Sequence, residues 1–142
     1  MEFFDNISRE EEEMIGEKLF LLYAFPCARI RLVRRQIDED RYFQLTAALQ
    51  TERPRRRLLK FCFPHAFKAL RELARANSRL DPWSLKNVQA LWRENHQKDG
   101  GICAVSLIAV SDKVPLSNPY SYDLQPGDRV YIHMRCIIEK VD

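Results

Sequence analysis

Apolar residues recur at helical spacing from Ser8 to the late nineties and at strand spacing after Gly100-Gly101, so the chain changes period once. The helical part opens at Ser8, which forms an S-x-x-E capping box with Glu11 and predicts a helix from about residue 9. Met14, Ile15, Leu19 and Leu22 supply its stripe. Pro26 has no amide hydrogen and crowds the preceding turn, which predicts a kink or stop there. A second helical stretch with Ile30, Leu32, Val33 and Ile37 then runs to Asp38. Asp38 reads as the next N-cap, with Glu39 and Asp40 in a first turn where the helix dipole favours negative charge. Tyr42, Phe43, Leu45 and Leu49 form the apolar stripe of that helix. Pro54 is placed to start a turn, and Pro64 opens a helix carrying Phe67, Leu70 and Leu73. Asp81-Pro82 opens another, with Leu85, Val88, Leu91 and Trp92 inward.

Beyond Gly100-Gly101, "ICAVSLIAV" (102–110) is a short β-branched run, "PLSNPYS" and "LQPGD" are turn formers, and Gly127-Asp128 launches a last strand. Taken as one regular strand, this ending places Val130, Ile132, Met134, Cys136 and Ile138 on a core face. Tyr131, His133, Arg135, Ile137 and Glu139 fall on a wetter face, so His133 and Cys136 cannot share a ligand. The expected class is α+β: a bundle of four or five helices over 1–98, then a small antiparallel β-module over 101–142, a partial OB- or SH3-like barrel. Three strands alone are marginal, so this module must lean on the helices or on a partner.

Composition narrows the chemistry. With 142 residues, 46% apolar and 11% aromatic, the chain can build one ordinary core or two very small ones. Cys27, Cys62, Cys103 and Cys136 are scattered and form no C-x-x-C pair, against a zinc ribbon or a thioredoxin-type site. The start "MEFFDNISREEEE" is acidic where a secretory signal is basic. The longest apolar run, "LFLLYAF", is far below the roughly 20 residues of a membrane span. Reduced thiols, a cytoplasmic location and no membrane partner are therefore expected. No G-x-S-x-G, paired-Glu scaffold or His-x-x-x-His occurs, so a conventional enzyme is not expected.

Net charge is only +3, but it is segregated. Residues 1–17 carry seven acids against Arg9, a net of −6, and residues 28–75 carry thirteen Arg and Lys against five acids, a net of +8. The densest basic run is "RPRRRLLK" (53–60). Arg55, Arg56 and Arg57 could bind phosphate, with Arg29, Arg31, Arg34 and Arg35 on an adjacent helix, making nucleic acid a candidate partner. The favoured alternative is a solvated face neutralised by the acidic "REEEE", with all three arginines exposed.

The ending "GDRVYIH" followed by "IIEKVD" resembles the small hydrogenase-assembly chaperones of the HypC/HybG/HupF type, over roughly residues 101–142. "ICAVSLIAVSD" is similar to their cysteine-led first strand. The resemblance implies that Cys103 and His133 jointly hold an iron–cyanide–carbonyl unit, with Gly127 and Asp128 forming the turn. It implies transient iron with no intrinsic cofactor, and a hydrogenase maturation factor or large subunit as protein partner. The leading expectation is thus a non-enzymatic accessory or assembly chaperone for a nickel–iron hydrogenase or similar metalloenzyme. The alternatives are a nucleic-acid-binding helical adaptor using the Arg-rich surface, and a protein–protein adaptor whose β edge its partner completes. For iron handling, Cys103 and His133 must lie on neighbouring strands and on one face, with donor atoms roughly 3–4 Å apart when metal is bound.

Overall fold

Helix α1 (Arg9–Val33) begins where the capping box puts it: the Glu11 N–H donates to Ser8 Oγ at 3.1 Å, and Glu10, Glu11 and Glu12 fill the first turn. The computed structural model describes residues 8–51, 53–77, 81–94, 100–104, 110–111 and 114–141. Of the kink or stop expected at Pro26, the stop does not occur: α1 continues through it. Proline removes one backbone donor, but Phe20, Leu21, Tyr23 and Ala24 before it and Ala28 after it are buried. Tertiary packing on both sides outweighs the one missing bond.

Arg35, at φ 58°, helps turn the chain into α2 (Glu39–Ala48), capped by Asp38 Oδ1 accepting the Arg41 N–H at 2.8 Å. The other end of α2 is tied to α1: Lys18 Nζ donates to the carbonyls of Ala48 (3.2 Å), Leu49 (2.5 Å) and Thr51 (2.8 Å). A cation there meets the negative end of the helix dipole, while burial pushes the Lys18 pKa down. Helices α3 (Arg56–Cys62) and α4 (Pro64–Ala76) follow almost without a break, with Pro64 at the start of α4. Asp81 Oδ1 accepts the Trp83 N–H at 2.9 Å, so the chain turns at Asp81–Ser84 and α5 (Leu85–Gln89) starts later than Pro82. It widens into a π-type turn at Ala90–Glu94. Phe20 is the centre of this core, edge-on to Trp83 (5.0 Å), Trp92 (5.6 Å) and Phe63 (6.2 Å). No described helix is long and apolar enough to cross a membrane.

The chain divides into two compact units, Met1–Trp92 and Arg93–Asp142, and the class is α+β, helices first and small sheets after. In the second unit β1 (Gly100–Ala104), β4 (Arg129–His133) and β5 (Cys136–Lys140) form an antiparallel sheet in the order β1-β4-β5. The ladder of β2 (Val110–Ser111) and β3 (Val114–Pro115) is separate. The middle of the expected 102–110 strand lies outside the described residues. Val130 and Ile137 are the buried centre, packed by Leu116, Tyr122, Leu124 and Ile132. Arg93 donates from Nε to Glu139 Oε2 at 3.0 Å and lies 4.7 Å over the Tyr131 ring.

The ending is a hairpin, which corrects the single long strand. Met134 (φ 52°) and Arg135 (φ 60°) both take the left-handed conformation, the signature of a two-residue type I′ turn. That conformation costs roughly 1–2 kcal/mol per non-glycine residue, and no Asn or Gly announces it. Pairing of Ile132 with Ile137 across the turn buries the apolar set and offsets the cost.

Gly16 fixes how closely α1 meets the start of α5. A Cβ there would lie 2.0 Å from the Trp83 carbonyl oxygen and 3.3 Å from the Leu85 nitrogen. The same contact lets Glu12 Oε1 accept the Leu85 N–H at 2.9 Å, standing in for a capping side chain. Helix propensity alone favours Ala over Gly by about 1 kcal/mol. Gly16→Ala is nevertheless expected to destabilise the protein by about 2 kcal/mol or more in urea unfolding, because backbone must move. A stabilising Gly16→Ala would show that the helices do not approach this closely.

Candidate functional site

Glu10, Glu13 and Glu17 stand at i, i+3 and i+7, on one face of α1, and Arg53 and Arg56 reach that face from α3 and the segment before it. Glu17 is fully buried. Its Oε2 accepts from Arg53 Nε at 3.0 Å, and its Oε1 accepts from Arg56 Nε at 2.6 Å and Arg53 Nη2 at 3.3 Å. Arg56 Nη2 donates to Glu13 at 3.0 Å, and its Nη1 lies 3.5 Å from Asp81. Arg53 Nη1 donates to Glu10 at 3.2 Å. Burial opposes the charge on Arg56, but hydrogen bonds to Glu17 and Glu13 outweigh it and leave the guanidinium pKa raised.

Of the basic run, the acids of α1 pair with Arg53 and Arg56, so the expected neutralisation is partial, and the expectation that Arg55, Arg56 and Arg57 are all exposed fails at Arg56. Leu59 and Cys62, at i+3 and i+6 from Arg56, are the buried positions of α3, so Arg56 shares their inward face. Arg55 and Arg57 flank it on the outside and remain exposed. Neither the burial of Glu17 nor the role of Arg53 was anticipated. The signal that could have found them is the matched spacing, Glu13 and Glu17 against Arg53 and Arg56.

In the second unit the β1–β4 register pairs Gly100 with His133 and Cys103 with Val130. Cys103 and His133 do lie on neighbouring strands, yet three residue pairs separate them. Three steps cover roughly 10 Å along a strand, and an odd number assigns the positions to opposite faces. The register therefore sets the two positions three pairs apart along the β1–β4 ladder. The hairpin instead makes His133 and Cys136 direct cross-strand partners, the pair that a single strand would have set on opposite faces. His133 is only 3% exposed, correcting its expected place on a wet face. Burial pushes the Cys136 thiol pKa up, against a lowering hydrogen bond with Ser117.

Gly127 and Asp128 have a structural task. Gly127 adopts φ 94°, which favours glycine, and Asp128 Oδ2 accepts the Gln125 N–H at 2.8 Å, closing the turn into β4. Cys62 is buried, and burial raises its thiol from 9.0 to about 11 against the opposing fields of Arg31 and Arg41. The unfolded thiol ionises first, so this site loses stability as pH rises from about 9 to about 11. His65 is exposed in the first turn of α4. Among the described residues no group of three or more His, Cys, Asp and Glu could hold a metal ion. Comparison with protein families, curated proteins and solved structures found no match to this chain.

Removing one guanidinium from a buried carboxylate leaves charge uncompensated. Arg56→Gln is expected to cost about 2–4 kcal/mol in urea unfolding. Arg55→Gln and Arg57→Gln should each stay within about 0.5 kcal/mol of the parent. Equal effects at the three positions would contradict the inward placement of Arg56.

Proposed function

We propose that the chain is a non-enzymatic accessory protein that docks on a protein client through the outer face of α1. One observation carries this reading: α1 is apolar on two opposite sides. Its inner side, with Gly16, Phe20, Ala24 and Ala28, is buried. At 100° per residue, Ile15, Leu22, Pro26, Ile30 and Val33 fall within about 80° of one another on the outer side. Ile15 is 43% exposed, Ile30 39% and Val33 75%, while Leu22 and Pro26 are half-buried. The stripe is about 27 Å long. A groove of about 440 Å³ along its first half is lined, among the described residues, by Met14, Ile15, Leu19 and Leu22, with Glu11 and Lys18 beside them.

A helix with apolar residues on both sides is built to be covered on both. An amphipathic helix of a partner laid along the stripe fits its length. The client class that goes with this reading is the one implied by the "GDRVYIH" and "IIEKVD" resemblance, a nickel–iron hydrogenase or similar metalloenzyme under assembly. Iron handling would ask for Cys103 and His133 together, and the register separates them; docking makes no such demand.

The test is size-exclusion chromatography of extracts from the protein's own cells. The parent chain should elute within a larger complex, and Ile30→Glu/Val33→Glu should elute near its own 16.8 kDa with its thermal midpoint little changed. A parent chain that elutes alone, or a double variant that keeps the complex, would refute the docking role.

A further inference from the structure

We propose that the outer face of α3 and α4 binds single-stranded nucleic acid, a role independent of docking through α1. Neutralisation by the acidic start of α1 absorbs Arg53 and Arg56 and stops there. Arg57, Lys60, Lys68, Arg71 and Arg75 are all exposed, and among the described residues none forms an ion pair with an acid. On α4, Lys68, Arg71 and Arg75 fall within about 60° of one another and run about 10 Å along the helix, with Glu72 the only acid of that helix. Lys60 carries the face across to α3, because its Nζ lies 4.9 Å over the ring of Phe67 on α4. Phe67 is i−4 from Arg71, so Lys60 and Arg71 flank the same line.

Charge alone would suit any polyanion; Phe61 selects among them. It follows Lys60 directly and is 55% exposed, while the Arg41 guanidinium lies 4.8 Å from its ring centroid. That guanidinium is paired with Asp38 at 3.0 Å, and Phe61 shares a groove with Asp38 and Glu39, while Arg57 and Lys60 precede it on α3. An exposed aromatic backed by a guanidinium, with cations beside it, is a stacking platform for an unpaired base, and an acidic peptide has no flat π-face to use it. A lipid surface fits less well. The apolar side of α4 is committed to the core, with Leu70 and Ala74 buried and Phe67 stacked on Trp83 at 5.6 Å, so no apolar face remains to insert.

The experiment is fluorescence anisotropy of the full chain with a labelled uridine 20-mer, repeated from about 50 to 200 mM salt. The parent should bind with affinity that falls steeply with salt, by a logarithmic slope of roughly −3 for four to five phosphate contacts. Lys68→Gln/Arg71→Gln/Arg75→Gln should weaken binding at least about tenfold and flatten that slope. Phe61→Ser should weaken binding several-fold with the slope unchanged, the mark of lost stacking, and gives a second test should the triple variant fail to fold. Arg9→Gln, distant in sequence on α1, should bind as the parent does. The proposal is overturned by a parent that does not bind, by a folded triple variant that binds as tightly, or by Phe61→Ser having no effect. Equal competition by polyglutamate would overturn it as well, leaving a charge effect without nucleic-acid recognition.

Discussion

A carboxylate with no exposure to water has to be met by fixed positive charge, and Glu17 meets it through two arginines more than thirty-five residues away in sequence. Much of the helical unit is arranged around that demand. Arg53 and Arg56 can reach Glu17 only if α3 lies against the first turns of α1, and on α3 Leu59 and Cys62 are then fully buried. Arg56 also lies 5.9 Å from the centre of the Trp83 ring and near Asp81, so the turn leading into α5 is held by the same side chain. Glu12, from the same acidic run, then serves the Leu85 amide, and Gly16 gives the room. A buried ion cluster is a poor source of net stability, since desolvation cancels much of the attraction. Its value here is in register: any sliding of α3 along α1 strands a charge.

The same cluster explains the division of surface charge. Glu13 and Glu17 are spent inward, against Arg53 and Arg56, leaving the cations of α3 and α4 without an ion pair among the described residues, although Glu72 stands on α4 beside them. The outer side of α1 is left to apolar residues. One unit thus offers an apolar stripe and a basic face on different helices, so the proposed docking and the proposed nucleic-acid binding would not compete for one surface.

Local chemistry was readable in the sequence wherever one residue decides the outcome. Ser8 and Asp38 cap their helices because a short oxygen-bearing side chain before an apolar stripe has few other uses. Pro64 opens α4 because its missing donor costs nothing there. The failures share another cause: each was settled by contacts distant in sequence. Pro26 does not end α1, because packing holds the helix on both sides. Arg55, Arg56 and Arg57 read alike until helical phase points one of them inward. Met134-Arg135 carries no turn residue, so one regular strand was the local expectation, and only burial of Ile137 against Ile132 and Val130 makes the hairpin worthwhile. That one turn reversed the candidate site, joining His133 to Cys136, while the β1 register, which an apolar strand fixes weakly, parted His133 from Cys103.

The dependence on Glu17 is tested most directly by a double-mutant cycle of Glu17→Gln and Arg56→Gln, each variant unfolded in urea at low and at high salt. Charges that share a buried contact are coupled, so the double variant should be more stable than the two single losses summed, by about 1.5–3 kcal/mol. Because Glu17 is out of water, that coupling should survive high salt largely intact. Losses that add to within about 0.5 kcal/mol, or a coupling that salt abolishes, would contradict the account and mark the pair as an ordinary surface contact.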